Sequence, residues 1–545
     1  MADAYLRGTD RAQRSLFPEA LEDYIGPNHA VRVIDAFVDG LRTGEDDASL
    51  PPPREMTDAG GRKGYDPRSL AKLVIWGYFN RVRSTRDLER ATYENIAAIW
   101  LLQKLHPDHT VIGRFRSSHA KRIKQWLRDF NRICASLELF GAEEVAVDGA
   151  ILVAVNSKAN NFTQQRLNRR LEKQEAEIQT YLEALEASEQ EPEAIPEPGG
   201  EVENLAEKLG RLLTEQQHTQ SMLEEAKASP TGQLSLVDPD ARLIKKKSSP
   251  GTARVGFNAQ SAVDSKHHLI AAVEVTQAGN DNGHLASMAE AARDNMQAPA
   301  AESEESCEQQ DAPEPMRVLA DAGYGDFDDI AATEEAGFEP HVALPQTSVA
   351  EKKGLFARSR FEYDEEADHY RCPSGEVLHR HADSKERGSI YQSYYNTKAC
   401  RNCSLRAQCT RGQYRKIRHH PKQKAIDRMK ERMKQDPQVY ARRSPTVEHP
   451  FGSMLFWNGG RHLLCRGLEK ANAEFSLSAL AYNLKRALNV VGFEKLMEAV
   501  RHFWPDFRPN QLFAAALSVG RMPRGDPNHR IRRFCPQNRK RLGFV

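Results

Sequence analysis

The chain has 545 residues, 39% of them hydrophobic and 28% charged, with a formal net charge of +1. A chain of this length holds more than one domain, and its near-neutral balance singles out no partner by itself. No apolar run reaches the roughly 18 to 20 residues of a membrane span, MADAYLRGTDRAQRS has no signal-type apolar stretch, and eight cysteines do not make a secreted disulfide framework. The expected location is the cytoplasm.

Residues 1–140 read as a helical domain. YDPRSLAKLVIWGYFNRV places Pro67 in a first helical turn and Leu70, Leu73, Val74, Gly77 and Tyr78 at helical spacing. STRDLERATYENIAAIWLL follows with a cap at Ser84 or Thr85. At VAVDGAILVAV the period shortens, so a strand begins near Glu144. Residues 160–230 carry two leucine seams in three- and four-residue steps, joined by the breaker EPEAIPEPGG, which predicts an inserted antiparallel helical hairpin. The seams suit pairing within one chain or between two.

GFNAQSAVD and HHLIAAVEVTQ predict two strands around a turn at Asp264 to Lys266, and a helix follows from about His284 to Met296. The acidic segment QAPAAESEESCEQQDAPEP reads as a loop. MRVLADAGYG, FDDIAATEEAGF and HVALP then give strand, helix and strand. The fold expected is α/β, a mixed sheet with hairpins and helical crossovers spanning 141–347 and 422–495. An insertion at 348–421 interrupts it and a basic tail, 496–545, ends it. Basic residues dominate from Arg411 to Arg443 and again in the tail, which suits an anionic polymer or a solvated basic face.

Asp148 stands in the middle of an apolar strand, where an unpaired carboxylate costs several kcal/mol. It either caps a turn at Gly149 or is protonated, paired or bound to a metal. Asp321 repeats the oddity at the end of Val318, Leu319 and Ala320, and sites collect at such strand ends. A third acid suits a two-cation site, since hard divalent ions take shared carboxylates. In YARRSPTVEHPFG, a helix starting near Thr446 tolerates Pro450 in its first turn and directs Glu448 toward the sheet, among Arg442, Arg443 and His449.

Cys400 and Cys403 form a CxxC knuckle, Cys409 follows, and Cys372 precedes a Pro-Ser-Gly turn. Four thiols so spaced suit structural zinc; reduced packed thiols and an iron–sulfur cluster are the alternatives.

DGAILVAVNSK, GFNAQSAVD, ADAGYG, RRSPTVEHPFG and GLEKANAEFSLSALAYNLKR, in this order, resemble the blocks of bacterial insertion-sequence transposases of the DDE class. GRKGYDPRSLAKLVIWGYFNRVRSTRDLERATYENIAAIWLL and PDHTVIGRFR are similar to the helical N-terminal domain of those proteins. The resemblance implies a ribonuclease-H-like core, an N-terminal domain for DNA binding or dimerisation, and Asp148, Asp321 and Glu448 as catalytic ligands of Mg²⁺ or Mn²⁺. It implies DNA contacts from Tyr440, Arg442, Arg443, Lys485 and Arg486, and a chain associated with the nucleoid. The activity implied is binding of terminal inverted repeats, strand cleavage and strand transfer by a dimer or larger synaptic assembly. The chain departs from the pattern at Leu455, where the family has a lysine thought to contact DNA, and at Ala150, where threonine is usual. A silent DNA-binding relic and a ribonuclease-H-like nuclease without a mobile element are the competing readings.

Overall fold

The computed structural model describes residues 19–42, 50–51, 64–190, 201–229, 231–245, 253–297, 314–344, 349–386 and 389–503. The hairpin breaker, most of the acidic loop and the tail from 504 onward lie outside the described residues.

The N-terminal domain is helical, as its periodicity predicts. Pro67 occupies the first turn of Pro67–Phe79, where a missing N–H costs nothing, and Asp66 caps it by accepting from Arg68 N at 2.8 Å. Ser84 is the residue before Thr85–Glu94, although its side chain makes no capping bond. The amphipathic helix Ala120–Ser136 turns Ile123, Trp126, Leu127, Phe130 and Ile133 inward. Its principal partner is the long helix Leu468–Phe503, which bends at Gly492 where φ is +81°. The two helices share one apolar core with the sheet.

The central sheet is mixed. Glu144–Val153 lies between the antiparallel strand Ala253–Asp264 and the parallel strand Arg317–Ala320, and Glu339–Val342 extends the parallel side. Ala253–Asp264 carries Ile270–Thr276 and Arg242–Lys245 along its other edge. The parallel strands need crossovers, which Leu285–Met296 and Phe327–Glu335 supply. The architecture is the mixed α/β sheet that the strand order predicts and is consistent with the ribonuclease-H-like core that the resemblance implies; the short strand Arg242–Lys245 had no legible sequence signal.

The inserted helices Gln164–Gln190 and Glu201–Ala228 pair with each other within the chain. Their base is closed by Phe162, Leu167, Met222, Leu223 and Ala226. The second insertion has a six-stranded sheet and a core of Phe361, Tyr370, Leu378, Tyr394 and Ile417. Aromatic side chains, scattered in sequence, meet across its strands, with Cys372 and Cys409 packed against them. Among the described residues no helix is long and apolar enough to cross a membrane.

Candidate active site

Strand register brings the first two acids together. Val147 is level with Ala320 on the neighbouring parallel strand, so the next residues are Asp148 and Asp321. Asp148 does not cap a turn, because the strand continues through Gly149 to Val153; its Oδ1 accepts from Gly149 N at 2.8 Å. Asp321 leaves its strand and caps a short 3₁₀ turn, accepting from Gly323 N at 2.7 Å. Burial pushes the Asp148 carboxyl up to about 6; Arg443 and the Gly149 N–H oppose this, while the negative charges of Asp321 and Asp281 add to it.

Asp281 is the acid that the sequence reading missed. It lies in a loop after Ile270–Thr276, in the turn-rich run Gly279-Asn280-Asp281-Asn282-Gly283. Its Oδ1 accepts from Asn258 Nδ2 and Gln260 Nε2, both at 2.9 Å. Gln260 is opposite Gly149 in the ladder, and its Oε1 accepts from the buried Tyr324 hydroxyl. A Cβ at Gly149 would collide with Asp281 Oδ1, and one at Gly323 would stand 2.9 Å from Asp281 Oδ2. Two glycines thus leave the space in which this carboxylate sits beside Asp321.

The helix expected to begin near Thr446 instead runs from Arg443 to Phe451. Pro445 takes the early position where an N–H has no helical partner, while Pro450 lies at the far end, where the helix widens into a π turn, Gly452–Trp457. Arg443 is the residue aimed at the sheet, with Nη1 3.5 Å from Asp148 Oδ2. Glu448 is five residues on, about 140° round a 3.6-residue helix, and it is exposed and accepts from the Ser444 hydroxyl. The expectation that Glu448 points toward the sheet is corrected on that geometry.

The other expected DNA contacts are spread out. Arg442 holds Glu144 with Nη2 2.6 Å from Oε2. Tyr440 is partly exposed on the preceding helix, Pro437–Ala441. Lys485 stands over the Phe79 ring at 4.9 Å, and Arg486 Nε donates to His267 O at 2.7 Å. Leu455, at the family's lysine position, is 5% exposed and packed in the main core.

The donor chemistry of Asp148, Asp321 and Asp281 suits a hard divalent cation, whose charge would offset the burial and, to a lesser degree, the neighbouring negative charges that raise the Asp148 carboxyl. The side chains are not closed around an ion: among the described residues no group of three or more His, Cys, Asp or Glu is arranged to hold one. Away from the sheet, Cys372, Cys400, Cys403 and Cys409 line one small cavity of about 20 Å³. Burial pushes the Cys409 thiol up to about 11, with the other three cysteines adding to the rise and Arg415 opposing it. All four are free thiols.

Comparison with known families gives two matches. Residues 371–488 match a transposase DDE domain, and residues 19–118 match a transposase domain of the DUF772 type. The first span holds the four cysteines, Arg443 and Glu448; Asp148, Asp281 and Asp321 lie between the two spans. No curated protein and no solved structure matches the chain.

Proposed function

We propose that the chain is an insertion-sequence transposase of the DDE class, a reading that its two transposase-domain matches support, and that it binds the inverted-repeat ends of its element, cleaves the DNA strand there and transfers it to a target. The observation that carries this reading is the register that sets Asp148, in the middle of its strand, beside Asp321, just past the end of the neighbouring parallel strand, with Arg443 3.5 Å from Asp148. Such a pair suits in-line displacement at phosphorus.

Asp148 and Asp321 would hold Mg²⁺ or Mn²⁺, with Asp281 beside them. When bound, the cation supplies activation of the attacking oxygen and stabilisation of the leaving one. The chain's own residues do the rest. Asn258 and Gln260 fix the Asp281 carboxylate, and the Asp321 turn is held by the Gly323 N–H. Arg443 offers a cation where a scissile phosphate would approach, and it keeps Asp148 more acidic than burial alone would allow. Glu448 joins the carboxylates by rotation of its helix on DNA binding.

In the cysteine cluster, four thiolates would hold structural zinc, a soft-donor set suited to that ion. Synapsis of two element ends calls for at least two copies of the chain.

The test uses DNA ends identified from inverted repeats flanking the coding region. Asp148→Ala, Asp321→Ala and Glu448→Ala should each abolish nicking in Mg²⁺ or Mn²⁺ while leaving the mobility shift of the same DNA. Full cleavage by Glu448→Ala would remove that residue from the site. Wild-type protein that shifts intact, matching ends but never nicks them would favour the silent relic.

A further inference from the structure

The π turn Gly452–Trp457 does two things at once. It buries Met454 and Leu455 and turns the next two side chains, Phe456 and Trp457, to solvent, where they are 65% and 70% exposed. Both rings are capped by arginine. The Arg461 guanidinium lies 4.5 Å from the Phe456 centroid, and Arg81, in the turn just after the helix Pro67–Phe79, lies 5.7 Å from that of Trp457. Neither arginine is paired with a described carboxylate. Lys485 stands over Phe79 in the same neighbourhood, near enough for Arg81 to make its ammonium less basic in addition to the larger effect of burial.

This surface is anchored. Arg83 donates to Gly459 O and His462 O, and its charge is taken up by the buried Glu474. Val153 N donates to Arg461 O at 2.7 Å, and Leu463 N to Val153 O at 2.9 Å, so the segment is fastened to the far end of the Asp148 strand. Five residues of strand separate Asp148 from Val153, about 17 Å at roughly 3.3 Å per residue. At about 3.4 Å per phosphate along one strand of a duplex, that is about five nucleotides.

We propose that Phe456 and Trp457, with Arg81 and Arg461, form a stacking platform for unpaired bases of the DNA strand whose backbone runs to the carboxylates. Two exposed rings with guanidinium groups stacked on them, neither guanidinium paired with a described carboxylate, fit a π-faced anionic polymer better than an apolar protein surface. Platform and π turn together also explain how the chain does without the family's lysine at 455: the leucine is core, and contact with DNA passes to its neighbours. The proposal deepens the transposase reading and rests on it for the location of the scissile phosphate, but not for the stacking itself.

The experiment is fluorescence anisotropy with full-length protein and three probes of arbitrary sequence: a blunt duplex, the same duplex with an unpaired thymidine tail, and single-stranded oligothymidine. Wild-type protein should prefer the tailed probe to the blunt one. Trp457→Ala and the double variant Phe456→Ala/Trp457→Ala should lose that preference by about tenfold, within the range for base–aromatic stacking, and Trp457→Phe should retain most of it. Equal affinity of wild type for tailed and blunt probes, or an undiminished preference in the double variant, would overturn the platform. So would a variant whose only change is in oligomeric state, which would make the patch a protein interface. Because no probe is cleaved, a protein that stacks single strands but never nicks element ends would count against the transposase chemistry and not against the platform.

Discussion

Arg443 and Asp148, 295 positions apart in sequence, meet at 3.5 Å, the arginine on a helix and the aspartate on an inner strand of the central sheet. Arg443 is the main influence keeping Asp148 ionised against its burial. Replacing it with alanine should raise the Asp148 pKa above about 6 and move the acid limb of the pH profile for nicking to higher pH, with cleavage at neutral pH falling at least tenfold. Arg443→Lys should recover part of the loss, since it restores charge without the fork. A pH profile for Arg443→Ala that superimposes on wild type would break the link between the two residues.

Asp281 is held by two carboxamides and by the space above two glycines. Asp281→Asn should weaken Mn²⁺ binding by about tenfold to a hundredfold, the range for groups that support metal ligands. Gly149→Ala should do likewise by displacing the carboxylate, because a Cβ there collides with Asp281 Oδ1. Electron paramagnetic resonance titration of Mn²⁺ reads this directly; unchanged affinity in both variants would leave Asp281 as a loop contact only.

Purified protein should carry about one zinc per chain by the four-ligand rule, and Cys400→Ser should lose it. The aromatic core of the insertion should hold without the ion, so protease sensitivity should rise at the turns that carry the cysteines and not across all of 349–421. Metal analysis that finds no zinc in wild-type protein purified without chelators would return the cysteines to packed thiols; iron in its place would favour a cluster.

Asn483 and Asn131, both with no exposure, clamp one edge of the sheet. Asn483 Nδ2 donates to Asn131 Oδ1 at 2.8 Å and its Oδ1 accepts from Ile270 N at 2.9 Å, while Asn131 Nδ2 reaches Ile270 O and Ala271 O. Asn483→Ala strands those partners away from water, which should cost about 3 kcal/mol. Chemical denaturation followed by circular dichroism should show the lowered midpoint; a midpoint within error of wild type would show that water replaces the side chain.

His419 is 8% exposed and accepts from the Tyr370 hydroxyl at 2.6 Å, and burial, aided by Arg358, lowers its pKa to about 4. The folded insertion thus binds fewer protons than its unfolded chain between pH 6.5 and 4. Its stability is complete above pH 6.5 and declines as pH falls to 4, by on the order of 3 kcal/mol. Limited proteolysis of the insertion should accelerate across that window, and the acceleration should be smaller in His419→Gln. A rate flat from pH 7 to 4 would contradict the assignment.

Sequence alone determined the α/β core, the helical domain before it and the two aspartates set in or just after apolar strands. An aspartate inside an apolar run, as at Asp148, or just after one, as at Asp321, is visible because local hydrophobicity makes its cost visible. The hairpin was equally legible from its leucine steps, since helical period is a local property. What tertiary structure decided depends on contacts between distant segments. Asp281 sits in an ordinary polar loop and becomes notable only when Asn258, Gln260 and the gaps over Gly149 and Gly323 are assembled around it. Glu448 could be assigned to a helix by pattern but not to a direction, because a start three residues earlier than expected rotates every later side chain. Leu455 reads in sequence as a lost lysine; the π turn makes it core and leaves Phe456 and Trp457 facing water, a rotation that side-chain spacing cannot encode because it arises from one extra residue in a single turn.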